Sequence, residues 1–206
     1  MRPSDVVDAL DGIRPGDHVA GIVTRGGELS LAARNVGIGL RRGESSAVIA
    51  SPPYARELGA MLSTAGVDVE DAMRSRRLQF VDIADMAYKD GRFHLHTYCE
   101  RAAELADELR RQGVRHVRGT GIVASYGLGI QESLRICSQM DAVFFSCTPL
   151  SGLCIWNGAR IGGDLLVEVL RSHPKAWVNG ELVSNPFYKR LHEVDARSTR
   201  VPVSSG

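Results

Sequence analysis

Apolar positions along this chain fall alternately into short unbroken runs and into stripes at helical spacing. His18–Val23 (HVAGIV) is apolar from Val19 onward, as a strand covered on both faces would be. Beyond a glycine turn, Leu29, Ala32, Ala33, Val36 and Leu40 follow i, i+3, i+4, i+7 and i+11, which predicts an amphipathic helix ended by Gly43. The cycle repeats. Ser46–Ala50 predicts a second strand, Pro52–Pro53 open a helix to Ala65, Asp68 caps a short helix over Val69–Ser75, and Leu78–Ile83 predicts a third strand. Ala84–Phe93 reads as a polar loop. Tyr98, Ala102, Leu105 and Leu109 then mark a helix stopped by Gly113, and Val114–Ala124 predicts a fourth strand.

Ile130–Cys147 carries two signals. Its VFF suggests a strand, but Ile136, Met140, Val143, Phe144 and Cys147 keep helical spacing, and that favours a helix. Gly152–Trp156 predicts a fifth strand, and Asp164–Ser172 a helix stopped by His173–Pro174. Ala176–Val178 and Glu181–Val183 flank Asn179-Gly180, the dipeptide that supplies the positive φ angles of a two-residue hairpin turn. A short helix over Pro3–Leu10 precedes all this, and a loose polar tail follows from Asp195. Strands alternating with helices predict an α/β fold: a mostly parallel sheet flanked by helices, closed by a C-terminal β-hairpin. The expected organisation is one domain over residues 1–194 and a tail over 195–206.

Composition adds limits. The 206 residues are 44% hydrophobic and 24% charged, as in ordinary globular proteins, and the formal net charge of +1 predicts neither general nucleic-acid binding nor attachment to an acidic membrane. No apolar run reaches the ~18–20 residues of a membrane span, and the polar start MRPSDVVDAL is unlike a signal peptide, so a cytoplasmic location is expected. Cys99, Cys137, Cys147 and Cys154 form no CxxC pair and show no zinc-ligand rhythm. They read as small buried hydrophobes.

Two glycine-rich stretches bear on chemistry. Thr24, Arg25, Gly26 and Gly27 join the first strand to the first helix, where free backbone N–H groups hold anions in many α/β proteins. A phosphate-hydrolysing loop also needs a lysine-hydroxyl pair, and IVTRGGELS has none; Arg25 is its only cation, and Glu28 would repel a phosphate. Arg118–Gly129 contains GTGIVA, a weak match to a dinucleotide-binding fingerprint, with Asp141 at the right separation but inside a predicted helix. Thr120, Ser125 and Tyr126 there would lie toward the carboxyl end of a strand, where ligands of open sheets collect. His94, His96 and Cys99 form H-x-H-x-x-C without a fourth ligand at fixed spacing, and read as the lead-in to a helix. His18 opens the first strand, in a hydrogen-bonding or a pocket role. Cys154 and Trp156 end the fifth, one of them facing a pocket, and Cys154 has no activating base in fixed relation to it.

Several segments together resemble the MEDS family, the sensory domain named after methanogens, methylotrophs and the dichloromethane-response repressor. They are GDHV, RRGE before SAVIA, AGVDVEDAMRSRRLQFVDI, KDGRF, GLCIW and above all SHPKAWVNGELVSNPFY. The likeness spans Gly16–Leu191, and Asn35–Ile83 is also similar to the circadian-clock ATPase branch of RecA-like proteins. The resemblance implies a RecA/KaiC-like fold without a functional P-loop, serving as a ligand-sensing module. The family pattern tends to carry an acidic residue near Ile122, and its absence here further weakens an ATPase reading.

The sequence therefore predicts a non-catalytic sensory or regulatory domain that binds a small organic ligand or a signalling partner. Its expected ligand-lining residues are His18, Thr24, Arg25, Gly26 and Gly27 from the first half, and Thr120, Ser125, Tyr126, Cys154 and Trp156 from the second. No catalytic residue, metal ion, nucleic-acid partner or membrane contact is expected; the cofactor is unknown, and a homodimer is compatible. The competing readings are a RecA-like nucleotide-binding enzyme and a pure interaction module that uses the hairpin and NPFY as surface anchors.

Overall fold

The computed structural model describes residues 9–24, 26–89, 92–143, 145 and 148–189. A 3-10 turn over Ala9–Gly12 leads into β1 (His18–Val23), α1 (Gly27–Arg41), β2 (Ser45–Ile49), α2 (Pro52–Thr64), α3 (Val69–Arg74) and β3 (Leu78–Val81). There follow α4 (Ile83–Ala87), β4 (Tyr88–Lys89), β5 (Arg92–Phe93), α5 (Leu95–Arg111), β6 (Val117–Ile122) and α6 (Ile130–Val143). The chain then forms β7 (Leu150–Asn157), α7 (Gly163–Arg171), β8 (Lys175–Val178) and β9 (Glu181–Ser184). Seven strands make one sheet in the order β3-β2-β6-β7-β1-β8-β9, parallel throughout except for the antiparallel β8–β9 hairpin. Asn179 and Gly180 both have positive φ, as the turn between β8 and β9 demands.

Successive strand residues point to opposite faces, and the core divides accordingly. Val19, Val48, Leu153, Ile155 and Trp177 pack with Leu31, Val36 and Ile38 of α1 and Leu58 and Leu62 of α2. On the other face Ala20, Ala47, Leu150 and Trp156 pack with Tyr98, Ala102 and Leu109 of α5 and Ile136, Cys137 and Met140 of α6. The second face is paved with small residues where β2, β6, β7 and β1 run side by side: Ala47, Gly119, Gly121, Gly152 and Ala20. That paving creates the site described below.

On the first face, β6 sends the fully buried Arg118 under α1. Its Nε donates to Glu44 Oε2 at 2.5 Å, and its Nη1 donates to the Leu10 carbonyl at 3.0 Å and to Asn35 Oδ1 at 3.1 Å. Gly39 of α1 leaves room for the guanidinium stem, since a Cβ there would stand 2.9 Å from Arg118 Cδ.

Two sequence expectations need correction. Ala84–Phe93 is not a loop, because Asp82 accepts a hydrogen bond from the Ala84 N–H at 2.9 Å and caps α4, whose Ile83, Met86 and Ala87 are buried at i, i+3 and i+4. A single turn is too short for that stripe to stand out, and the same cap ends β3 at Val81. Second, β6 is shorter than Val114–Ala124 at both ends: the Val114 N–H closes the end of α5 on the Leu109 carbonyl, and Val123–Ser125 turns in a 3-10 helix. Ile130–Val143 is helical, as its spacing predicts. The expected helix over Pro3–Leu10, the tail from Asp195, and Phe144 and Cys147 lie partly or wholly outside the described residues. Among the described residues no helix is long and apolar enough to cross a membrane.

Candidate functional site

His18 is the first residue of β1, and Cys154 lies on the adjacent strand β7, opposite Ala20. Strand alternation puts both side chains on the face that α5 and α6 cover. From α6 come Cys137 and, one turn later on the same helix face, Asp141. The connection between α7 and β8 supplies His173. One ring nitrogen of each histidine and both sulfurs lie within 4.8 Å of one another. Four elements far apart in sequence thus meet at one point.

The contacts are specific. His18 Nε2 is 3.4 Å from Cys154 Sγ, and its Nδ1 is 3.3 Å from Asp141 Oδ1. Cys137 Sγ donates to Cys154 Sγ at 3.6 Å. The His18 ring stacks on Phe145 at 4.6 Å and leans on the His173 ring at 4.1 Å. His173 Nδ1 is 2.7 Å from the Val169 carbonyl, which can only accept, so that nitrogen carries the proton. His173 Nε2 is then a bare lone pair, buried and without a hydrogen-bond partner.

Burial works against a charge on His18, but the Cys154 thiolate and Asp141 outweigh it and push its pKa up to about 9. The hydrogen bond from Cys137 is the chief reason the Cys154 thiol is held well below the usual range; burial opposes this, and the charge of His18 adds to it. That same bond, with burial, pushes the Cys137 thiol well up. Burial, and then the charge on His18, lowers His173. The cluster therefore sets a histidine whose pKa is raised against a thiol whose pKa is lowered, beside a second thiol that is raised and a second histidine that is lowered.

Beside it lies a partly open cavity of about 80 Å³, walled by Ala47, Gly119, Gly121 and Gly152 and by Ile49, Met86, Tyr98, Ala102, Met140 and Phe145. It exists because Gly119, Gly121 and Gly152 present no side chain there; a Cβ on Gly152 would run into the Phe145 ring, and one on Gly121 into the Tyr126 hydroxyl. His18 and Cys154 stand in its wall.

The NPFY segment braces this arrangement. Asn185 Nδ2 donates to the carbonyls of Leu170 and His173, the latter at 2.7 Å, and the Tyr188 hydroxyl donates to Asp141 Oδ2. Of NPFY, Asn185 and Tyr188 are half-buried and Pro186 and Phe187 exposed, and Val178 and Val183 of the hairpin are exposed as well.

The other expected site residues scatter. Thr120 and Tyr126 line the cavity, although the Thr120 hydroxyl accepts from Asn35 Nδ2 at 2.9 Å on the α1 side. The Ser125 hydroxyl is taken up by the Ile122 carbonyl at 2.7 Å and the Ser51 N–H at 3.2 Å. Trp156 is core, edge-on to His173. Thr24, Gly26 and Gly27 form the turn before α1, closed by the Gly27 N–H on the Thr24 carbonyl at 3.1 Å. Arg25 lies outside the described residues. At this turn Glu28, buried at the start of α1, accepts from Asn157 Nδ2 at 2.6 Å. The chain's own carboxylate thus complements the helix N-terminus, where a phosphate would otherwise bind.

GTGIVA corresponds to no phosphate loop, because Gly119 and Gly121 lie inside β6, and the next α-helix begins only at Ile130. His94 and His96 sit at the start of α5 and not on a strand, both exposed, with His96 paired to Glu100 at 3.1 Å. Cys137 is buried in the core, as expected, and Cys154 packs against it with a histidine beside it. Cys137, Asp141 and His173 were passed over, since their spacings of four and thirty-two residues match no local ligand motif. The one available signal was the i, i+4 pairing of Cys137 with Asp141 on a helix.

The model of a family described as MEDS, MEthanogen/methylotroph, DcmR Sensory domain, matches residues 17–174. No curated protein matches the chain. Among solved structures, the flagellar accessory protein FlaH from Methanocaldococcus jannaschii is similar with a TM-score of 0.53 at 9% identity, over 88% of this chain and 82% of that one. That likeness is one of fold, and the sheet and its flanking helices are RecA-like.

Proposed function

Since the chain belongs to the MEDS family of sensory domains, we propose that it senses a small, largely apolar organic molecule held in the cavity beneath α5 and α6. The observation that carries this reading is a mostly apolar space in the core with His18, Cys137 and Cys154 in its wall. A cavity of 150 Å³ takes benzene, so 80 Å³ suits a molecule of about three or four non-hydrogen atoms. One hydroxyl, carbonyl or halogen on such a molecule would lie toward His18 and Cys154, and the rest against the apolar wall. Because α5 and α6 form the lid, occupancy is read out through the outward faces of those helices, to a regulatory partner or a second copy. A cytoplasmic setting keeps the two thiols reduced.

The carboxylate at the start of α1 weighs against nucleotide binding at the glycine turn. The line Cys154–His18–Asp141 is of the kind that activates a thiol nucleophile, but its burial favours retention of a small molecule over turnover of a larger one.

Thermal unfolding in the presence of alcohols, ketones and halocarbons of increasing size tests the reading. A ligand at about a hundredfold its Kd adds roughly 2.7 kcal/mol, and the raised Tm is expected only for the smallest members of each series. Ala102→Leu, which fills the cavity, should abolish the shift, while Met86→Ala should move the optimum to a larger ligand. No shift with any compound, or the same size optimum in parent and Met86→Ala, would overturn it.

A further inference from the structure

We propose that His18, Cys137, Cys154 and His173 together form a closed four-ligand site for a thiophilic d¹⁰ metal ion, zinc above all. The inference goes beyond the organic-ligand reading and stands without it. Two histidines and two cysteines are a common structural zinc set, and four protein ligands leave no open position. Bond lengths of about 2.3 Å to sulfur and 2.0–2.1 Å to nitrogen place tetrahedral ligands roughly 3.3–3.8 Å apart. Here His18 Nε2 and Cys154 Sγ stand at 3.4 Å, the two sulfurs at 3.6 Å, and no pair of ligand atoms exceeds 4.8 Å. A contraction of about 1 Å at the widest pair completes the tetrahedron.

The bare Nε2 of His173 is an independent pointer to a ligand. A fully buried imidazole nitrogen with no hydrogen-bond partner is costly, and this one has its tautomer fixed by the Val169 carbonyl on the opposite side of the ring. That is the outer-sphere arrangement of a metal-bound histidine. His18 Nδ1 has the Asp141 carboxylate 3.3 Å away as an ion-pair partner, without hydrogen-bond geometry, and Asp141 is itself held by Tyr188. Both histidines thus turn their second nitrogens toward the sulfurs.

Charge also balances. Zinc with two thiolates and two neutral imidazoles is neutral overall, which a buried apolar setting requires. Binding would release whatever protons the four ligand atoms carry. Cu(I) would leave a net negative charge, and an oxygen-seeking ion such as Mg²⁺ would find no hard ligands among the four. The ion would tie β1, α6, β7 and the α7–β8 connection together and form part of the cavity wall.

The test uses the reduced, chelator-treated chain with Co²⁺ as the spectroscopic probe. The expected result is one equivalent bound per chain, with thiolate-to-cobalt charge transfer, tetrahedral d–d bands, and displacement by Zn²⁺. Asp141→Asn should weaken binding by about 10–100-fold without removing those bands. Cys137→Ser should remove at least one thiolate's share of the charge transfer while circular dichroism shows an intact fold, and Cys99→Ser should change nothing. Absence of charge transfer in the folded parent, or its persistence in a folded Cys137→Ser, Cys154→Ser double variant, would overturn the proposal. The organic-ligand screen, run on the chelator-treated chain, is decided separately from these outcomes.

Discussion

Arg118→Met is expected to cost about 4 kcal/mol of folding stability, measured by urea unfolding. The guanidinium is fully buried and gives hydrogen bonds to Glu44, to Asn35 and to the Leu10 carbonyl, so its loss removes three hydrogen bonds and the cation beside the Glu44 carboxylate at once. Breaking one side of a buried pair typically costs 3–5 kcal/mol. Arg118→Lys should recover less than half, because a point charge cannot span the three directions that the planar fork serves. A loss within about 1 kcal/mol for Arg118→Met would show that the pair is no more than a solvated surface contact.

The same group sets a pH dependence. Burial would raise the Glu44 pKa, but the hydrogen bond and charge of Arg118, with His116, lower it overall. Its contribution is therefore complete above the ordinary carboxylate range and disappears as pH falls through the lowered folded value. Burial lowers His116, so the unfolded chain takes up its proton first on acidification, and this too favours unfolding as pH drops below about 6.5. Both signs agree. Stability should fall steadily from neutral pH to pH about 4, and in Arg118→Met the lower part of that slope should flatten.

The second large effect comes from β6. Gly119→Ala is expected to destabilise by about 3 kcal/mol, the upper end of overpacking costs. A Cβ there would stand 2.8 Å from the Ser151 carbonyl oxygen on the neighbouring parallel strand, and backbone in the middle of a sheet cannot step aside as a side-chain end can. Gly59→Ala makes the contrast. Gly59 lies inside α2 with nothing within 4 Å of the position a Cβ would take, so the same change should stabilise by about 0.5–1 kcal/mol. If both variants shift Tm in the same direction, close approach is not what keeps Gly119 a glycine.

The local rules were sufficient where each element announces itself. The Asn179-Gly180 turn fixed the β8–β9 hairpin because few residues tolerate positive φ, and the stripe of α1 fixed its buried side. They failed where an element is one turn long, as in α4, and where glycines belong to a strand. Gly119 and Gly121 read as a phosphate loop because a glycine's role depends on what lies beside it, and their neighbours on β7 lie about thirty residues further along the chain. The cluster of His18, Cys137, Cys154 and His173 was not legible for the same reason: ligand-like spacing is a local property, and these side chains arrive from four separate elements.

By itself, then, the sequence determined the alternation of strands and helices, the hairpin, the family likeness and the lack of a lysine at the glycine turn, all of which are encoded in residues close together along the chain. Only the tertiary structure decided which small residues would line up across β2, β6, β7 and β1 to leave a cavity, and that His18, Cys137, Cys154 and His173 would face one another beside it. Strand order and register set those neighbours, and both come from packing the two faces of the sheet against different helices, a property of the whole chain and of no segment within it.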